Sequence, residues 1–162
     1  MEPTQFRQVN EGLDWVFEAP KKDQVERLKT IASKNQTIVP FVRWGVGAEK
    51  VEWGLPEGMP ETTKIKDDIP DGMGESTLTI EFRRIKSFTD PTSNMQNLPD
   101  WKREMNWMSI IEGVHHKEAE LITHIKDGEL LKLYPKLEAI LPDLGIKDWN
   151  KPKKTRRKKA KK

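Results

Sequence analysis

DWKREMNWMSIIEGVHHKEAELITHIKDG, residues 100–128, decides the fold class. Apolar residues recur there at steps of three and four, the spacing that paints one face of an α-helix. Pro99 and Asp100 open a first helix whose stripe is Trp101, Met105, Met108 and Ile111 or Glu112, widened by Trp107, Ile110 and Val114 and ended by Gly113. A second helix, His115 to Lys126, buries Ala119, Leu121, Ile122 and Ile125, with Gly128 in the left-handed position that closes helices. A third, Lys136 to Leu141, offers Leu137, Ile140 and Leu141 before Pro142. Three helices joined by short turns hide their stripes by packing alongside or across one another. The predicted fold is mainly α, a compact helical body of about six helices.

Toward the N-terminus the same period continues. Phe6, Val9, Leu13 and Val16 predict a helix from Thr4 to Phe17 that Pro20 closes. Val25, Leu28 and Ile31 or Ala32 predict another over Lys22 to Lys34, with Asn35 as its stop. Ile38 to Trp44 reads as a short helix, which Pro40 permits only in the first turn. Residues 45–75 have no sustained period and hold six of the ten glycines, so a long irregular Gly/Pro-rich segment is expected there. Val51, Trp53, Leu55, Met59, Ile65 and Ile69 are the side chains that would tie it over the helical body. In Ser76 to Phe88 two periods compete: Leu78, Ile80 and Phe82 alternate as in a strand, whereas Leu78, Phe82, Ile85 and Phe88 step as in a helix. The helical period covers more residues, and a lone strand has no partner for its backbone. Asp90 to Asn97 is a polar connector.

The charge is divided unevenly along the chain. Residues 151–162, KPKKTRRKKAKK, hold nine cations and no acid, in a chain with 29 basic and 26 acidic residues. Setting the nine aside leaves 20 basic against 26 acidic residues, so a net +3 is a body of −6 and an arm of +9. Residues 1–150 therefore form one helical domain, and 151–162 an unstructured basic tail. There is no cysteine, which removes disulfides, thiolate metal sites and cysteine nucleophiles. The opening residues lack the basic, then apolar, then small-residue order of a signal peptide, and no run approaches the ~18 apolar residues of a membrane span. A soluble intracellular protein with no membrane partner is expected.

The segments IVPFVRWG (38–45), VEWGLPEG (51–58), EFRRIKSF (81–88) and KREMNWMSIIEGVHHKEAELI (102–122), followed by Lys126-Asp127, occur in this order. They resemble a family of small proteins of large tailed phages that infect marine and cyanobacterial hosts. In that family a W-x-L-P-E-G element, an R-R-x-K-x-F helix and a K-R-E…L-E-x-x-H…A-E-L…K-D helical pair share one chain. The likeness spans roughly residues 22–141. It implies a phage-encoded, mostly helical protein located in the host cytoplasm or the virion, and it carries over no functional residue. Family members end near the segment matching Ala139 to Ile146, so the basic arm is a departure.

Catalytic patterns are sparse. His116, Glu120 and His124 share a helical face, but positions eight apart lie ~12 Å apart along the axis, too far for both imidazoles to hold one ion. A solvated or partner-facing helix surface is the simpler expectation, with no metal and no cofactor. No serine stands in a GxSxG elbow, Gly45-Val-Gly47 lacks the strand and third glycine of a dinucleotide turn, and no GxxxxGK[ST] loop occurs. A non-enzymatic protein is expected, with an enzyme site in the 45–74 segment as the minor alternative.

The arm has a definite physical use. Lys151, Lys153, Lys154, Arg156, Arg157, Lys158, Lys159, Lys161 and Lys162 are the candidate nucleic-acid-binding residues. If about six to nine of them neutralise phosphates, counterion release gives a log–log salt slope of about −5 to −8. The arm has no aromatic platform on which to stack bases, so this affinity is non-specific. A merely solubilising end and a nuclear localisation signal are competing uses of the same composition. Arg83, Arg84, Lys86, Lys102 and Arg103 would extend a basic surface, or else decorate helix exteriors beside Glu81 and Glu104. The expected protein is a phage accessory factor, whose acidic body meets an unidentified protein partner and whose arm holds DNA. The alternative is a virion or assembly component whose arm contacts packaged DNA or an acidic protein surface.

Overall fold

Residues 6, 8–49, 51–59, 68–70 and 73–150 are described by the computed structural model. They form α1 (Val9–Phe17), α2 (Lys21–Lys34), α3 (Ile38–Val46), α4 (Phe82–Ser87), α5 (Asp100–Gly113), α6 (His116–Lys126) and α7 (Leu130–Leu133). Three short 3-10 helices, Asn94–Asn97, Pro135–Ile140 and Pro142–Leu144, complete the mainly helical architecture, and no strand occurs among the described residues. The basic arm, 151–162, lies outside them.

α6 is the hub. It contacts α1, α3, α5 and α7, while α2 packs on α1 and α3, and α4 packs on α5. Ala119, Leu121, Ile122 and Ile125 are buried as their period predicts, and Gly128 takes the left-handed conformation at φ 69° just beyond the helix. α3 accommodates Pro40 in its first turn, where a missing N–H costs nothing. Asn35 caps the end of α2.

Aromatic rings join the outer elements into the same core. Trp44 of α3 stacks on Phe82 at 5.7 Å and meets Trp53 edge-on at 5.6 Å. Trp53 in turn meets Trp107 at 5.7 Å, and Trp107 meets Phe88 at 5.2 Å. Such stacked and edge-to-face pairs add about 0.5–1.5 kcal/mol each beyond the area they bury. The irregular 51–59 stretch is thereby held between α3 and α5. Of the expected ties, Val51, Trp53, Leu55 and Met59 pack on the core, Ile69 is half-buried and is held through its carbonyl by His115 instead, and Ile65 lies outside the described residues.

Several local expectations need correction. The α5 stripe turns outward only at its start: Trp101 is 62% and Met105 60% exposed, whereas Ile111, its last member, is buried with Trp107 and Ile110. α5 carries two overlapping apolar sets, and α4 and α6 pack on it. α1 starts at Val9, because Gln8 is extended and its N–H is taken by the Glu11 carboxylate at 3.2 Å. The remaining start of that predicted helix, at Thr4, falls outside the described residues. Ser76 to Phe88 becomes regular helix only from Phe82. Ser76 is drawn away by donating its N–H to the Gly113 carbonyl at 2.7 Å, in a single parallel bridge with Val114, and Thr77 Oγ1 caps the turn through the Ile80 N–H. The helix expected at Lys136 to Leu141 is the 3-10 helix Pro135–Ile140, since Pro142 has no N–H to offer the α-helical bond. The connector at Asp90 to Asn97 contains a 3-10 turn, capped by Ser93 Oγ accepting from the Met95 N–H at 3.0 Å.

Candidate functional site

The approach to the arm is firmly built. Ile146 is buried, and Trp149 Nε1 donates to Glu138 Oε2 at 3.0 Å. The Asn150 N–H donates to the Val46 carbonyl at the end of α3 at 2.6 Å, and its Nδ2 reaches the Gly128 carbonyl beyond α6 at 3.4 Å. The nine candidate cations, Lys151 to Lys162, begin at the next residue and fall outside the described part of the chain. What is described is a fixed point of departure.

The five body cations do not act as one patch. Arg83, Lys86 and Lys102 are exposed, whereas Arg84 is paired with Glu81 at 2.9 Å and donates to Ser109 Oγ at 3.3 Å. Arg103 is structural: it donates to the Gly54 carbonyl at 3.2 Å and the Leu98 carbonyl at 2.6 Å, and it pairs with Asp100. That clamp fastens the irregular segment and the start of α5 together.

Three buried polar groups escaped the sequence reading, and each holds irregular backbone in place. Glu118 is fully buried; its Oε2 accepts the Val9 N–H at 2.8 Å and its Oε1 accepts the Leu78 N–H at 3.1 Å. One carboxylate therefore serves the positive amino end of α1 and the turn before α4. Lys126, also buried, donates Nζ to the Pro56 carbonyl at 2.7 Å and to Asp127 at 2.5 Å, while Asp127 accepts the Gly58 N–H at 3.0 Å. His115 caps α6 by accepting the Lys117 N–H on Nδ1 at 3.1 Å, which leaves Nε2 to carry the proton given to the Ile69 carbonyl at 3.0 Å. Gly74 lies so close that a Cβ there would fall 2.6 Å from the His115 nitrogen. A signal was present: Glu118 stands at i with Leu121, Ile122 and Ile125 at i+3, i+4 and i+7, a charge placed on the apolar face.

The His116, Glu120 and His124 trio has separate neighbours. The His116 ring stacks on His115 with centroids 4.1 Å apart, and His124 Nδ1 donates to the Glu120 carbonyl at 2.9 Å. No group of three His, Asp or Glu side chains able to hold a metal occurs among the described residues. His116 Nδ1 and Trp107 Nε1 are buried without a hydrogen-bond partner there. Tyr134 ties the 3-10 region to α1 by donating to Asp14 at 2.9 Å, and burial, with the Asp14 carboxylate beside it, holds the phenol far above its ordinary range.

Two larger clefts open on the surface. One, of about 690 Å³, lies between α1, the α2–α3 corner and the 77–80 turn, with Phe6, Val9, Ile31 and Ile38 as its apolar lining and Asn35, Thr37 and Thr79 among its polar residues. Asn35 Nδ2 donates to Thr79 Oγ1 across it at 2.9 Å. The other, of about 660 Å³, has Asn150 in its lining together with Trp44, Trp53, Glu49, Glu52 and Asp127. No helix among the described residues is long and apolar enough to cross a membrane. Comparison with protein-family models, curated proteins and solved structures returns no match to this chain.

Proposed function

We propose that the chain is a non-enzymatic phage accessory protein, in which residues 151–162 tether the body to nucleic acid without sequence preference and the body engages another protein. The observation that carries this reading is the separation of charge, −6 in residues 1–150 and +9 in the twelve that follow. A net-acidic surface repels phosphate, so contact with nucleic acid concentrates in the arm. The hydrogen bonds of Trp149 and Asn150 support the division, because they fasten the chain to the body up to the residue before the first of the nine cations.

Two features support a protein partner for the body. Its buried ionisable groups Glu118, Lys126 and His115 are spent on backbone hydrogen bonds. Meanwhile the Trp101–Met105 face of α5 leaves a large ring and a thioether in solvent, the residue types enriched at protein contacts. The test replaces all nine arm cations by Gln in the full chain and titrates a labelled duplex at low salt. Loss of about a hundred-fold or more in affinity is expected. Unchanged affinity would place binding in the body and end this reading.

A further inference from the structure

The cleft beside Asn150 has the properties of a seat for the arm that leaves from it. The carbonyl ends of α3 and α6 meet at Asn150, which takes the Val46 and Gly128 carbonyls as acceptors. Helix carboxyl ends carry a partial negative charge, here two of them at one point. Gly47 closes α3 at φ 77°, and the Asn150 side chain fills the space a Cβ there would need, so the chain leaves the body in close contact with the end of α3. Glu49 and Glu52 are exposed in the lining and give it negative charge, while Trp44 and Trp53 beneath them are buried and form its floor. Lys126, the cation in that lining, is buried and engaged by the Pro56 carbonyl and Asp127.

We infer that residues 151–162 bind this cleft in cis, so that the body competes with nucleic acid for its own arm. The inference rests on the tether reading and adds a regulation to it. Attachment at the lip of the cleft keeps the local concentration of arm near the millimolar range, enough for weak charge pairs to be populated at low salt. Salt, or a partner that covers Glu49 and Glu52, would then release the arm.

The experiment uses the full chain and a fluorescent duplex at low salt, with two paired variants that change net charge equally. Glu49→Gln with Glu52→Gln alters the cleft; Glu18→Gln with Glu26→Gln alters exposed acids of the α1–α2 region outside its lining. Two exposed charge pairs predict a gain in DNA affinity of about three- to ten-fold for the cleft variant over the control. The backbone amide resonances of Glu49, Val51 and Glu52 should also differ at low salt between the full chain and the variant with nine Gln in its arm, and converge at high salt. Equal gains in the two paired variants, coincident amide resonances at low salt, or a shift that depends on protein concentration would each overturn docking in cis. If the Gln arm costs no DNA affinity, the tether reading fails, while the amide comparison still decides whether the arm sits in the cleft.

Discussion

Trp101 and Trp107 lie on one helix, α5, six residues apart, yet one is 62% exposed and the other is sealed in the core. Sequence period cannot separate them, because each belongs to a complete apolar set at helical spacing. Neighbours separate them: Phe88 and Trp53 close over Trp107, and α6 packs on α5 where Ile110 and Ile111 are buried, while Trp101 and Met105 remain mostly exposed. α6 shows the opposite case, a helix with partners on most sides, in which every predicted apolar residue is buried. An apolar stripe therefore reports a face that can be covered, and what covers it depends on the rest of the chain.

The sharpest way to break this contrast is Trp107→Ala, which removes a fully buried indole and should cost about 3–5 kcal/mol in urea unfolding. Trp107→Phe keeps the ring contacts and discards an N–H that lacks a partner among the described residues, so it should cost clearly less than the alanine variant. Next comes Glu118→Ala, which strips the acceptor from the Val9 and Leu78 N–H groups; about 2–4 kcal/mol is expected, with amide exchange at both positions accelerating together. Trp101→Ala with Met105→Ala should stay within about 0.5 kcal/mol of the parent in unfolding while lowering binding of a hydrophobic dye. A large stability loss there would mean that the stripe is core after all.

The smallest effect belongs to Asp90. Its carboxyl accepts from the Thr92 hydroxyl at 2.7 Å and the Thr92 N–H at 2.9 Å, and these bonds, with Lys86 nearby, lower its pKa below the ordinary 3.8. A depressed carboxylate stabilises the fold above its unfolded pKa, and that contribution is lost as pH falls through the folded value. Asp90→Asn should therefore lower the melting temperature slightly at neutral pH and leave it unchanged in acid below both values. A difference that persists there would refute the assignment.

Most of the helical layout was legible. α2, α3, α5 and α6 follow from period and punctuation, and the irregular 51–59 stretch was expected to be tied down by Val51, Trp53, Leu55 and Met59. What stayed hidden depends on contacts distant in sequence. The late start of α4 is set by Gly113 and Glu118, and the clamping role of Arg103 by the Gly54 and Leu98 carbonyls. The buried carboxylate was half visible, because position 118 sits on the apolar face of α6, but its partners lie 109 and 40 residues away. The arm could be read from composition alone, since a run of like charge acts through its field and needs no fold. The cleft at its root could not, because it forms only where Asn150 returns to the carbonyl ends of α3 and α6.

The division of labour between an acidic body and a basic arm is tested most directly by the salt dependence of DNA affinity, measured for the full chain on two unrelated duplexes. Two coincident log–log lines with a slope of about −5 to −8 are predicted over the salt range in which the arm is free of the cleft. A shallow slope, or affinities that differ between the duplexes, would show that the body itself reads nucleic acid and would contradict the account.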